Sequence, residues 1–419
     1  MANRSLSYTS FFTILQLLWS CTFYANGCYT SITSFGDSLA DTGNLKQLTS
    51  ELNQPPLHLF LPPYGETFFH EPTGRCSNGR LIIDFIAEYL NLPLVRPFFN
   101  GNGSMELGQG VNYAVAFATA LNNSFLEARG VYNPITTNIS LGVQLEWFKQ
   151  SICANVSDCS HLIEHSLFLM GEIGGNDYNH ALLAGKSIDE VGTYVPFVVE
   201  TIISTINELV EMGAKTVLVP GNLPIGCSAA YLTLYNSFDS TKYDNLTGCL
   251  IQFNKFAEYH NKLLVTKLNQ VQELHPDTNI IYADYYNAAM QFFRSPEKYG
   301  FENGALKACC GGGGTFNYND LILCANPTST VCSKPYTYAN WDGLHLTEAA
   351  YKVISKSLLQ GPYTVPQFNS LCPTSMLKEG DGLSSFITLI SEKIGFCWCE
   401  AMLRCDRGKN KERIFISVL

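Results

Sequence analysis

Ser34-Phe35-Gly36-Asp37-Ser38-Leu39-Ala40-Asp41-Thr42-Gly43-Asn44 sets a serine where the run Ile32 to Phe35 stops, directly after a Gly-Asp pair. Glycine tolerates the backbone angles of such a corner, so the hydroxyl that follows can stand exposed at the edge of a sheet, ahead of a helix. A serine hydroxyl is a weak nucleophile and needs a base that a third group orients. Trp341-Asp342-Gly343-Leu344-His345, near the far end of the chain, offers both partners. Asp342 and His345 are three residues apart, so on a helical turn they share a face and the carboxylate reaches the imidazole. Singly, each piece has a plainer reading: Gly-Asp-Ser is a common turn, and Asp-x-x-His also fits a helix N-cap with a satisfied histidine. Their joint occurrence at opposite ends of one globular length is far more specific. A third segment adds to it. The buried-strand run Leu167 to Met170 is followed by Gly171-Glu172-Ile173-Gly174-Gly175-Asn176-Asp177. An asparagine on a glycine-rich loop at a strand's end is placed to donate an amide N–H to a developing oxyanion.

Around these segments strand-like and helix-like stretches alternate without internal repeats. Tyr29 to Phe35, Gly110 to Phe117, His165 to Met170, Lys215 to Pro220 and Thr278 to Ala283 read as strands. Arg80 to Leu90 puts Leu81, Ile82, Phe85, Ile86, Tyr89 and Leu90 on one helical face. Leu141 to Ile152, Ile188 to Met212 (stopped by Gly213) and Cys249 to Leu274 read as further helices. Strands alternating with helices predict a parallel sheet covered on both faces. The sites fall after the carboxyl ends of the first three strands, where open α/β sheets hold ligands.

A chain of 419 residues with 46% hydrophobic content can bury a sizeable core. Its net charge of −10 argues against nucleic acid and against an anionic membrane surface as partners. Fifteen cysteines without a Cys-x-x-Cys pair suggest disulfides, with Cys153 and Cys159 one candidate pair. Residues 1–27 read as a signal peptide: Arg4, an apolar stretch from Phe11 to Trp19, then the small-x-small pattern Ala25-Asn26-Gly27. The competing reading, a membrane anchor, has a short stretch interrupted by Gln16, Ser20 and Thr22. Asn-x-Ser/Thr sequons at Asn102, Asn122, Asn138, Asn155 and Asn245 are usable in the secretory route.

Together the Ser38, Asn176 and Asp342-x-x-His345 segments resemble the GDSL esterase/lipase family, of the SGNH hydrolase superfamily, and in particular its plant secreted branch. Cys76-Ser77-Asn78-Gly79-Arg80, Pro220 to Cys227 and Cys309-Cys310-Gly311 are similar to stretches of that branch. The Gly-x-Ser-x-Gly elbow of α/β-hydrolases is absent. The resemblance implies an α/β fold, flavodoxin-like: a three-layer α/β/α sandwich with a central, mostly parallel five-stranded sheet, spanning residues 28–372 as one domain. It implies Ser38 as nucleophile, His345 as base and Asp342 as the group that orients it. The oxyanion hole would combine the Ser38 N–H, the Asn176 side chain and a backbone N–H of the segment Asn112 to Ala120. There the chain departs from the pattern, with Phe117 where the family presents a glycine; its Cβ and ring would then hinder the donor's angles or crowd the acyl pocket.

The implied protein is a secreted, glycosylated serine esterase without metal or organic cofactor. Its substrates would be small esters, as for the sinapine esterase and acetylajmalan esterase-like members. Two alternatives stay open: an acyltransferase with the same triad, and an impaired ester-binding protein, the latter suggested by Phe117. Other segments invite over-reading. His161-Leu162-Ile163-Glu164-His165 matches an inverted zinc-protease motif but reads as a solvated loop before a strand. The run Gly311 to Gly314 lacks a following Lys-Ser/Thr and reads as a flexible loop rather than a phosphate cradle. Residues 373–419 form an atypical extension with a charged end, Arg404 to Arg413, which argues against a lipid-anchor signal. A helical extension and a product of atypical splicing are both compatible with it.

Overall fold

Ile32, the run Leu167 to Met170, Val217 to Val219 and Ile280-Ile281 carry too little polar alternation for one wet face, so both faces of their sheet must be covered. The computed structural model describes residues 28–51, 56–99, 110–132, 138–152 and 159–372. In chain order the main elements are β1 (Ser31–Ser34), α1 (Asn44–Glu51), α2 (Ile82–Tyr89), β2 (Val111–Asn112), α3 (Leu141–Ile152) and β3 (Ser166–Leu169). Then come α4 (Gly175–Leu183), α5 (Val195–Glu211), β4 (Thr216–Pro220), α6 (Ala229–Leu234), α7 (Ile251–Leu274), β5 (Asn279–Ala283), α8 (Tyr285–Arg294), α9 (Glu348–Leu359) and β6 (Thr364–Val365).

The sheet runs β2-β1-β3-β4-β5-β6. Its first five strands are parallel, in the registers Ile32↔Leu167, Phe168↔Val217 and Leu218↔Ile281. Every residue of β1, β3 and β4 is buried. Helices α3, α5 and α7 pack in one group, and α2, α8 and α9 in another. The aromatic centre is local to β1: Phe35 stacks on Tyr113 and meets Phe148 edge-on.

The sequence expectations shift in five places. The five expected strands are joined by a sixth, β6, a two-residue antiparallel edge strand pairing Val365 with Tyr282. The stretch Gly110 to Phe117 supplies only two residues of β2, because the chain turns away toward Phe117, whose φ is +68°. The long helix Ile188 to Met212 is two: Ile188–Gly192, then α5, which restarts with Pro196 in its first turn, where a missing N–H costs no hydrogen bond. The stretch His161 to His165, expected as a loop, is largely a helical turn (Cys159–Glu164) with the two imidazole rings 4.3 Å apart. Among the described residues no three His, Cys, Asp or Glu side chains are grouped to hold a metal. The glycine run enters a short antiparallel ribbon, Cys310–Gly311 against Thr330–Val331.

Four disulfides are described: Cys28–Cys372, Cys227–Cys249, Cys309–Cys332 and Cys310–Cys324. Cys159 is also disulfide-bonded, while Cys153 lies outside the described residues, as do residues 1–27 and 373–419. Cys76 is a buried free thiol. Cys28–Cys372 joins residues 344 positions apart, so it restricts the unfolded chain over the whole domain. Replacing both cysteines with serine should lower stability by about 2–4 kcal/mol, read as a lower guanidinium midpoint. An unchanged midpoint would show that this bridge stabilises nothing.

Candidate active site

β1 and β3 lie side by side, and the loops leaving their carboxyl ends touch. Gly36 has φ +141°, and a Cβ there would sit 2.9 Å from the Glu172 carbonyl oxygen, so only glycine fits the approach. Gln144 of α3 clamps that residue from the side, donating to the Gly36 carbonyl and accepting from its N–H, both at 2.8 Å. The Asp37 N–H donates to the Glu172 carbonyl (3.0 Å), and the Leu39 N–H donates to Asp37 Oδ1 (2.9 Å). Ser38 is thereby held above the sheet.

The segment from Asn340 to Leu346 approaches from the opposite side. It is a closed loop rather than the expected helical turn. The Trp341 N–H donates to the His345 carbonyl (2.8 Å), and Asp342 Oδ1 accepts the N–H groups of Leu344 (3.0 Å) and His345 (2.8 Å). One short turn therefore presents both side chains. His345 Nε2 lies 2.9 Å from Ser38 Oγ, and His345 Nδ1 lies 2.7 Å from Asp342 Oδ2. A carboxylate only accepts, so Nδ1 carries the proton and the lone pair of Nε2 faces the hydroxyl. The remaining lone pair of Asp342 Oδ2 accepts the Tyr64 hydroxyl at 2.8 Å. Tyr64 is buried edge-on against Trp341. Its place beside Asp342 has no signature in the sequence.

Burial opposes charge on both members of the pair. On His345 it lowers the pKa, but the Asp342 charge and hydrogen bond, with the more distant Asp37, outweigh it and leave the imidazole above its ordinary value. On Asp342 burial raises the pKa, but the His345 charge and the three hydrogen bonds from His345 and Leu344 outweigh it, holding the carboxyl well below the usual range.

Asn176 stands at the start of α4 and lines the same pocket. Its Nδ2 donates to Asp37 Oδ2 (3.1 Å) and to the Ala118 carbonyl (3.0 Å). Phe117 occupies the left-handed region, which costs an aromatic residue about 1–2 kcal/mol. Its backbone is pinned on both sides: the Ala118 N–H donates to the Val115 carbonyl (3.0 Å), and His180 Nε2 donates to the Phe117 carbonyl (3.2 Å). Among the described residues nothing accepts from the N–H of Phe117 or of Ser38. The half-buried Phe117 ring lines a cavity of about 220 Å³ beside Ser38, with Leu183, Leu223, Phe293 and Leu344 as other apolar walls. Asn179 and Tyr231 give it a polar flank, the Tyr231 hydroxyl donating to Asn179 Oδ1 (2.6 Å).

Several buried acids frame the site without belonging to the expected set. Asp41 collects the N–H groups of Gly43, Asn44, Leu45 and Ala116 at 2.6–3.1 Å. Asp177 accepts from Ala120 (2.8 Å) and Leu121 (2.9 Å), and burial pushes its carboxyl up to about 7. Burial also pushes Asp37 up to about 6, and Glu172 well above the carboxylate range, where the neighbouring Asp37 charge adds to the effect. Asp41 lies within the opening motif, and its spacing to Asn44 is that of a cap. The sequence marks Glu172 and Asp177 only as neighbours of Asn176. Of the five sequons, Asn122, Asn138 and Asn245 are exposed, and Asn102 and Asn155 lie outside the described residues.

The His345 imidazole should titrate above the ordinary value of about 6.5, and Asp342→Asn should lower its pKa, because burial is then opposed only by the weaker Asp37 charge. Histidine ring NMR on both proteins reads this directly. An equal pKa in the two would mean that the pair does not govern the imidazole.

The family model described as GDSL-like Lipase/Acylhydrolase matches residues 32–358. Three Arabidopsis thaliana proteins, each named a GDSL esterase/lipase, are 51%, 55% and 53% identical over 90%, 86% and 86% of this chain and 98%, 89% and 91% of their own. Among solved structures, a mutant acetyl-xylooligosaccharide esterase from Geobacillus matches 79% of this chain and 93% of its own, at 12% identity and a TM-score of 0.33. The chain belongs to the GDSL lipase/acylhydrolase family, whose hydrolase fold it carries, and is a serine carboxylic ester hydrolase.

Proposed function

We propose that the chain hydrolyses small carboxylic esters through Ser38, His345 and Asp342, and that it does so as a secreted glycoprotein. Ser38 Oγ attacks the ester carbonyl carbon as His345 Nε2 takes its proton, and the C–O bond to the alcohol breaks as His345 returns that proton to the leaving oxygen. Water then repeats the sequence on the acyl-enzyme, releasing the acid and restoring Ser38. Asp342, itself held by Tyr64, keeps Nδ1 protonated and stabilises the imidazolium. The tetrahedral oxygen is met by the N–H groups of Ser38 and Phe117 and by Asn176 Nδ2, which it draws from the Ala118 carbonyl.

The observation that carries this reading is the unbroken chain Ser38 Oγ–His345 Nε2 (2.9 Å) and Nδ1–Asp342 Oδ2 (2.7 Å) at the mouth of an apolar cavity. The cavity's about 220 Å³ falls below the roughly 300–1,000 Å³ of sites for drug-sized ligands, which favours short acyl groups. No observation favours transfer to an alcohol or binding without turnover. The described disulfides and the exposed Asn122, Asn138 and Asn245 support secretion, and among the described residues no helix is long and apolar enough to cross a membrane.

Ser38→Ala should abolish labelling by a fluorophosphonate probe and reduce turnover of p-nitrophenyl acetate by roughly 10⁴–10⁶-fold. Normal labelling of that variant would remove Ser38 from the chemistry. Since the base must be neutral, kcat/KM should rise with pH through an inflection above about 6.5 in the wild type. A profile flat from pH 5 to 9 would exclude His345 as the base.

Phe117→Gly should relieve the left-handed strain and open the acyl end of the cavity. The ratio of kcat/KM for a p-nitrophenyl octanoate over the acetate should rise about 10–100-fold, the scale of a few methylenes in an apolar pocket. An unchanged ratio in a folded variant would show that the ring does not bound the acyl group.

A further inference from the structure

Behind the wall of the catalytic pocket lies a second cavity of about 440 Å³. Two elements separate them. From α4, Leu183 lines the first cavity and Leu182 the second; from α6 and its end, Tyr231 lines the first and Tyr235 the second. The two tyrosine rings stack 5.8 Å apart, and the Tyr235 hydroxyl donates to the Leu182 carbonyl (3.0 Å). The partition is thus built from packed, hydrogen-bonded groups, and the second cavity is a separate space.

Its lining has an uncommon composition for this chain. Three lysines, Lys186, Lys242 and Lys255, border it, and no aspartate or glutamate does, although the protein carries a net charge of −10. Lys186 is paired with Glu190 at 3.0 Å, whereas Lys242 and Lys255 make no ion pair among the described residues. The nearest acid in sequence, Asp239, directs its Oδ1 to the N–H and hydroxyl of Thr241 at 3.0 and 2.6 Å, and it feels the charge of Lys242 without forming an ion pair with it. The floor is apolar: Phe253 and Leu250 are buried, and the Tyr235 ring packs on Phe253 with centroids 4.5 Å apart. A cavity that combines unpaired cations at its border with an apolar, aromatic floor matches an anion bearing an apolar body. Charge holds the head, and burial of the tail against the apolar floor supplies the rest.

We infer that this cavity binds amphipathic carboxylates, at a site distinct from the pocket beside Ser38. A carboxylate head meets Lys242 and Lys255 at the rim, and its apolar body lies over Leu250, Phe253 and Tyr235. The volume, twice that of the catalytic pocket, admits a medium-length acyl chain or an aromatic acid.

Calorimetric titration of the full chain with octanoate, 1-octanol and acetate tests this. Octanoate should bind saturably, and both 1-octanol (no charge) and acetate (no tail) should bind at least about tenfold more weakly. Lys242→Glu with Lys255→Glu, both exposed, should weaken octanoate by about tenfold or more while leaving p-nitrophenyl acetate turnover unchanged. If that variant melts early, the Lys→Gln pair replaces it. Octanoate binding that persists after fluorophosphonate labelling also supports the site. Three results would overturn it: no saturable octanoate binding, equal binding of 1-octanol, or octanoate binding lost on labelling but retained in the lysine variants. The last would place octanoate beside Ser38, and a failure of labelling itself would count against the Ser38 assignment and not against this cavity.

Discussion

A buried backbone N–H must find an acceptor, and beyond the carboxyl ends of β1, β2 and β3 the ladder can no longer supply one. Side-chain carboxylates and amides take over. Asp41 gathers four backbone N–H groups from two separate segments, so the start of α1 and the turn at Ala116 cannot move independently. Asn44 extends the tie, donating to the carbonyls of Asn112 (2.7 Å) and Ala114 (2.8 Å). Asp177 then binds the chain at Ala120 and Leu121 to α4. Ser38 and Phe117 come from two loops and Asn176 from the first turn of α4, yet they meet because buried polar groups knit those segments together. Removing one such acid would leave several N–H groups unsatisfied, each at about 1–3 kcal/mol.

The same constraint explains which parts were legible in the sequence. Strands β1, β3, β4 and β5 announce themselves as short buried runs, and their order with the helices fixes a parallel sheet. Ser38, Asp342 and His345 are legible as a set because the serine, carboxylate and imidazole of the expected triad come together in one hydrogen-bonded chain. What periodicity misses is tertiary. Opposite the apolar face expected from Leu81 to Leu90, Asp84 is fully buried as well, in a two-bonded pair with Arg75 at 2.8 Å. Pro196 divides a helical pattern that reads as continuous. Tyr64 reaches Asp342 across 278 residues, and β6 forms only because β5 leaves an edge open.

Phe117 shows how a local departure can be absorbed. The angles at this position suit glycine, and the phenylalanine adopts them because its neighbours leave no alternative: the Val115 carbonyl, His180 and Asn176 all hold the surrounding peptide groups. The strain is small beside the hydrogen bonds that would be lost by relaxing it. Backbone geometry is retained, and the change is expressed in the shape of the cavity through the ring.

His345 and Asp342 share one turn, whereas Ser38 is 307 residues from the imidazole that faces it. The adjacent cysteines Cys309 and Cys310 brace that turn, their N–H groups donating to the carbonyls of Asn340 (3.0 Å) and Trp341 (2.7 Å). A ribosome therefore releases the hydroxyl long before its partner exists. The pair therefore needs the segment around His345 folded back against the loop that follows β1. The order of the residues thus sets a limit on timing: the hydrogen bond between Ser38 and His345 cannot close until residue 345 has been made.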